Sequence, residues 1–156
     1  MPLRPTLQIL AGFTILALTL SPPCAIAKDR MDGPLAAEVV RAIDGDTLEV
    51  KVRIWLGQEL TTNVRVRGID APEMKGRCQK EKEMARAAAG RLAEVAAGTV
   101  RLSNVEADKY GGRVLADVET IDGAGLARLM LASGFVRAYD GGARGPWCGL
   151  AGLGGN

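Results

Sequence analysis

The sequence predicts an α+β fold that is mainly β, a five-stranded barrel of the OB type. Three observations predict it: three apolar or alternating segments come first, an amphipathic helix follows them, and two further strands precede a second helix. Five strands with a helix between the third and fourth is the OB order. An α+β sandwich with the same element order satisfies the same pattern. The first strand is a short apolar run at 38–43. The second, 47–54, alternates: Leu48, Val50, Val52 and Ile54 share one face, and Glu49, Lys51, Arg53 and Trp55 the other. Gly57-Gln58 turns the chain into a third strand at 60–69, with Val64 and Val66 on one side and Arg65 and Arg67 opposite, completing a three-strand meander. At 79–97 the period changes: Met84, Ala88, Leu92 and Val95 recur at helical steps. Gly90 weakens that helix by about 1 kcal/mol relative to alanine, and Gly98 stops it. Strands at 99–105 and 113–120 follow, joined by 106–112. Asp122-Gly123 turns into a helix at 126–132 ended by Gly134, and 135–139 is extended. Residues 28–36 are predicted to be a loose, flexible start, 37–149 the folded domain, and the Gly-rich 150–156 disordered.

A chain of 156 residues is one domain's worth, and 47% hydrophobic with 24% charged residues is ordinary for a globular protein. Twenty Lys and Arg against 18 Asp and Glu leave a net charge of +2, with no basic tail, so affinity for nucleic acid has to come from a local patch. The sequence has no histidine. That excludes Ser-His-Asp and Cys-His chemistry and His-ligated zinc. Hydrolysis here has to use carboxylates, Arg, Lys, Tyr, water or a hard metal.

The N-terminus has the parts of an export signal. Arg4 gives a positive start, Ile9 to Leu20 is an apolar run short for a bilayer span, Pro22 and Pro23 break it, and Ala25-Ile26-Ala27 is a small-x-small cleavage site. The expected cut follows Ala27, which makes 1–27 a signal peptide and the mature protein secreted or periplasmic, with no membrane association after cleavage. An uncleaved N-terminal anchor is the alternative. A lipoprotein fits less well, because Pro23 stands before Cys24 where a small residue is required. Cleavage removes Cys24 and leaves Cys78 and Cys148, an even pair in an oxidising compartment, which reads as one disulfide. Two buried free thiols are the other reading.

Three polar clusters carry the chemistry. Asp44-Gly45-Asp46-Thr47 puts two carboxylates at the entrance to a strand; alone, it is a common turn. Arg65-Val66-Arg67-Gly68-Ile69-Asp70-Ala71-Pro72-Glu73 ends a strand on two acids at a proline-stiffened corner. In a meander, Asp46 and Asp70 fall at the same end of the hairpin. Carboxylates crowded that way repel unless a cation sits among them, and calcium takes oxygen ligands alone. Asp108-Lys109-Tyr110-Gly111-Gly112-Arg113 is a basic, aromatic turn between two strands.

Taken in order, Ile43-Asp44-Gly45-Asp46-Thr47, the run from Arg65 to Glu73, and Asp108 to Arg113 resemble the three signature blocks of the staphylococcal nuclease (thermonuclease) family. The resemblance covers about residues 39–139 and rests above all on the long middle block. It implies an SNase-like OB-fold and a calcium-dependent hydrolase that cuts DNA and RNA endo- and exonucleolytically, with little sequence preference, leaving 3′-phosphate ends. The expected state is a monomer. By position, the resemblance assigns Asp46, Asp70 and the backbone carbonyl of Ala71 to calcium, with Asp44 as a supporting acid. It gives Glu73 the attacking water, Arg65 and Arg113 the phosphate, and Lys109, Tyr110 and Tyr139 the bound nucleotide. Three departures stand out: Gly112 adds a residue before Arg113, Arg67 adds a second cation beside Arg65, and Arg144-Gly145-Pro146-Trp147-Cys148 stands where the family has its last long helix. The rival reading is a non-catalytic nucleic-acid- or protein-binding barrel of the same fold. Retention of Asp46, Asp70, Glu73, Arg65 and Arg113 together argues for catalysis.

Overall fold

A computed structural model describes residues 29–149. The expected signal peptide with Cys24, and the tail at 150–156, lie outside the described residues. The elements run β1 (Arg30–Met31), β2 (Leu35–Ala42), β3 (Thr47–Trp55), β4 (Gln58–Val66), β5 (Ile69–Asp70), α1 (Gln79–Val95), β6 (Thr99–Ala107), β7 (Arg113–Thr120), α2 (Leu126–Ser133) and β8 (Arg137–Ala138). The main sheet has the order β1-β6-β2-β3-β4-β7, and an additional β6–β7 pairing closes β2, β3, β4, β7 and β6 into a five-strand barrel. Four of its seams are antiparallel, and β4–β7 is parallel. The fold is the predicted α+β OB-type barrel. Among the described residues, no helix is long and apolar enough to cross a membrane.

The alternating residues do what their period requires. Leu48, Val50, Val64, Val66, Val100 and Leu102 are all at most 1% exposed and fill the barrel. Each such side chain contributes about 1.5–3 kcal/mol by leaving water. Ala85, Ala88 and Leu92 of α1, and Leu126 and Met130 of α2, complete the core. On α1 the buried stripe runs through Ala85, and Met84 is only half-buried. Small alanines let the helix lie close against the barrel end.

The differences from expectation have local causes. Arg30–Met31, expected to be loose, pairs with Glu106 and Val105 of β6; its side chains are exposed, so no apolar pattern announces it. Strand β2 begins at Leu35 rather than at 38, because Leu35 to Glu38 pair across to Leu102 to Thr99. Ile54 is 53% exposed although it continues the Leu48 face. The register shifts between Arg53 and Trp55, so Ile54 lies past the end of the barrel. The expected strand at 60–69 is two strands. Gly68 takes φ 88°, open to glycine without strain, and swings the chain off β4 so that β5 pairs with β8 instead. Helix α1 ends at Val95 rather than 97, with Ala96 as its C-cap.

Candidate active site

The site lies where β3 begins and β4 ends. Thr47 pairs with Arg65 across these strands, and Val66 donates its N–H to the carbonyl of Asp46 at 2.8 Å. Asp70 follows on β5. Asp46 is 3% exposed, Asp70 0% and Arg65 6%, so three charged groups are buried together. The Arg65 guanidinium spans both acids: Nη1 donates to Asp46 Oδ1, and Nη2 donates to the Ile69 carbonyl at 3.2 Å and lies 3.7 Å from Asp70 Oδ1. Asp46 also accepts the Ala71 N–H at 2.8 Å and the Thr47 hydroxyl at 3.0 Å. Asp44 Oδ1 accepts the Asp46 N–H at 3.0 Å, an Asx-type turn that shapes the loop without reaching its centre.

The glycine between the two acids is dictated by packing. A Cβ on Gly45 would come within 2.5 Å of Ala88 Cβ and 2.8 Å of Ala71 Cβ. Helix α1, the Asp46 loop and the segment after Asp70 therefore meet at a point where only glycine fits.

Arg65, Arg137 and Arg144 crowd the two buried acids, yet burial still dominates at Asp46. Burial, and then the Asp44 carboxylate, push Asp46 up to about 7, against the opposing pull of Arg65. Asp70 Oδ1 is a buried oxygen with no aligned hydrogen bond, although Arg144 Nε stands 3.2 Å away. The two carboxylates offer only oxygen donors, and backbone carbonyls and water would supply the rest of a set that suits a hard cation such as calcium. The described residues hold one cluster of three metal-donor side chains, Cys78, Glu81 and Cys148. It does not suit a metal, because its two sulfurs are bonded to each other.

Arginines missed in the sequence complete the surroundings of Asp70. Arg137 donates to Asp70 Oδ2 from Nε at 3.0 Å and from Nη2 at 2.7 Å, a fork set up by the cross-strand pairing of Asp70 with Arg137. Arg144 Nη1 donates to Glu73 Oε1 at 2.8 Å. Carboxylates around Arg144 hold it above the ordinary guanidinium range although burial pulls the other way. Glu73 is otherwise open to solvent, its side chain 58% exposed. Its loop is fastened by Glu81, also missed. Glu81 is 6% exposed and accepts the N–H of Arg77 at 2.9 Å and that of Glu73 at 3.5 Å. Cys78–Cys148 is joined as expected, with a Cα–Cα distance of 6.1 Å.

Beside the acids runs a groove of about 710 Å³, with Arg65, Arg113, Lys109, Tyr110, Tyr139 and Arg144 among its walls. The β4–β7 register sets Asn63 beside Arg113 and Arg65 beside Leu115. The two arginines thus stand on adjacent strands on the same side of the sheet. Gly112 absorbs the extra residue at φ 85°, and the hairpin closes by Asp108 N–H to the Arg113 carbonyl at 3.2 Å. Arg113 is ion-paired with Asp108 and lies 5.2 Å from the Tyr110 ring, with Lys109 Nζ 5.3 Å from the same ring. Arg65 lies 6.0 Å from the Tyr139 ring. Arg67 also lines the groove, but its guanidinium is engaged: it bonds Asp117 at 3.1 Å, Glu106 at 2.8 Å and the Asn104 carbonyl at 2.7 Å.

No match is found among curated proteins. The family described as "Staphylococcal nuclease homologue" matches residues 63–145, a stretch that takes in Arg65, Asp70, Glu73, Arg113, Tyr139 and Arg144 and leaves Asp44 and Asp46 outside. With more than half of the chain matched and the closed five-strand barrel in place, the protein belongs to the staphylococcal nuclease family.

Proposed function

We propose that the protein is a calcium-dependent nuclease that hydrolyses phosphodiester bonds of DNA and RNA with little sequence preference. The observation that carries this reading is the burial of Asp46, Asp70 and Arg65 together, with Arg65 also lining a groove that holds Arg113. Burying charge is costly, so three charged groups buried together beside a groove point to a working site.

Asp46, Asp70 and the Ala71 carbonyl would hold calcium, which when bound supplies Lewis-acid polarisation of a phosphoryl oxygen. The protein's own groups do the rest. Arg65 and Arg113 offer fixed guanidiniums to the charge that grows on the phosphoryl oxygens, and each such donor is worth about 10²–10³ in rate. Glu73, open to solvent, positions the attacking water or takes its proton. Lys109, Tyr110 and Tyr139 present cation and ring surfaces to the nucleotide, and base stacking on aromatic rings is indifferent to sequence. We further propose that the mature chain is exported after cleavage at Ala27 and acts as a monomer.

The test is incubation of the mature protein with single-stranded DNA, first with calcium and then with excess chelator. Cleavage is expected with calcium only, and Asp46→Ala should abolish it. Magnesium should serve poorly, because it holds its waters in a tight octahedron. Full activity in chelator would overturn the metal assignment. Binding without cleavage in calcium would favour the non-catalytic barrel.

A further inference from the structure

The described tail after β8 is short, Gly-rich and mostly exposed, yet it is fastened at nearly every step. Tyr139 Oη donates to the Gly142 carbonyl at 2.8 Å, and the Gly142 N–H bonds Asp140 at 3.1 Å. Arg137 Nη2 donates to the Gly145 carbonyl at 2.6 Å, and its guanidinium stacks 4.3 Å from the Trp147 ring. Cys148 is bonded to Cys78. Between these ties stands Arg144. Its guanidinium touches Asp70 and Glu73, lies 5.7 Å from the Tyr139 ring, and lines the same groove as Arg65 and Arg113.

A long, rotamer-rich side chain on a loop is ordinarily free, and fixing it costs entropy. Here the backbone on both sides of Arg144 is held. Neutralising Asp70 does not explain this arrangement. Arg137 already gives Oδ2 two N–H groups, and Arg65 stands 3.7 Å from Oδ1, so Asp70 has two guanidiniums before Arg144 adds a third at 3.2 Å. With a divalent cation on Asp46 and Asp70, Arg144 keeps a single anionic neighbour, the exposed Glu73. Arg144 also lines the adjacent groove, where a phosphate would meet it, and the planar fork of a guanidinium matches phosphate.

We propose that Arg144 is a further substrate-binding residue, a third phosphate-clamping guanidinium delivered to the groove by the stapled tail. The inference rests on the nuclease reading above and extends its substrate site beyond Arg65 and Arg113. The disulfide is then part of the binding site's architecture, since it fixes the loop four residues beyond Arg144.

The experiment compares wild type, Arg144→Ala and Arg144→Lys, each as the oxidised mature chain. It measures affinity for a cleavage-resistant, phosphorothioate-linked single-stranded oligonucleotide in calcium across a salt series, together with calcium affinity and cleavage of ordinary single-stranded DNA. Arg144→Ala should weaken oligonucleotide binding about three- to tenfold and flatten the log–log salt slope by about 0.7, one phosphate contact on a single strand. Arg144→Lys should keep the slope and lose part of the affinity. Cleavage by Arg144→Ala should fall about tenfold or more in kcat/KM. Unchanged oligonucleotide affinity and slope would overturn the proposal. So would tighter calcium binding with unchanged oligonucleotide binding, which would make Arg144 a counter-ion to Asp70 only. If wild type cleaves nothing, the nuclease reading falls, and the binding comparison still decides for or against Arg144. Should Arg144→Ala melt early, Arg144→Gln carries the comparison.

Discussion

The two ends of the β3–β4 hairpin invert the usual partition of residues in opposite ways. At the end where β3 begins, Asp46, Arg65 and Asp70 are buried. At the tip, Trp55 is 70% exposed, Leu56 87% and Ile54 53%. Apolar groups at the tip meet water at a modest cost per residue. Charges at the other end are costly to bury and persist only because backbone N–H groups, arginines and a glycine-tight loop surround them. The difference teaches where to look: exposed tryptophan and leucine explain little here, and buried carboxylates explain most of the chemistry.

The comparison is broken most forcefully by cutting the staple at the charged end. The Cys78–Cys148 bond spans 70 residues, and constraining a loop of that size stabilises by about 4 kcal/mol at most in the chain-entropy account. A reductant should lower the melting temperature. Coincident melts with and without reductant, or two labelled thiols in the native chain, would show that the bond carries no load.

A smaller effect separates two neighbouring arginines. Arg65→Ala should cut turnover about 10²-fold at saturating calcium. Arg67→Ala should leave turnover within a few-fold and instead cost about 1.5–3 kcal/mol of stability, because it serves Asp117, Glu106 and the Asn104 carbonyl. Equal losses of turnover, or the reverse order, would refute the division of roles.

The last pair contrasts the two ends directly by chemical denaturation. Gly45→Ala should destabilise by about 1–3 kcal/mol, since the new methyl group has to displace Ala88 or Ala71. Trp55→Ser should stay within about 0.5 kcal/mol of wild type. A costly Trp55→Ser would mean that the tip is packed in solution against something.

What could be read in the sequence follows from how far each signal reaches. Leu48, Val50, Val64 and Val66 repeat every second residue, so the meander is visible in one short window. Asp46, Asp70 and Arg65 were visible as motif residues, and their convergence followed from the hairpin. Arg137 was not visible, because it meets Asp70 through a two-residue strand pair with no pattern of its own. Arg137-x-Tyr139 in an extended piece was the available clue, since alternation puts both side chains on one side. Arg144 reads in the sequence only as part of a tail, because nothing local distinguishes an arginine among glycines until the ties around it are known. Glu81 stands off the apolar positions of the helix, in a charged stretch that does not single it out. Its burial comes from Gly76, where a Cβ would lie 2.4 Å from its carboxyl carbon.

Barrel closure carries a consequence for the order of assembly. Strand β2 finds its second partner 67 positions away, where Leu35 meets Leu102, and β4 finds its own 50 away, where Asn63 meets Arg113. Such distant pairings are slow to form compared with hairpins. A chain that has emerged only as far as α1 already holds Asp46, Arg65, Asp70 and Glu73, yet lacks both strands that would shut water out around them. Arg137, Arg144 and Cys148 arrive later still. The acids are therefore made first and enclosed last, and the cluster around Asp70 is complete only when nearly all of the described chain is free.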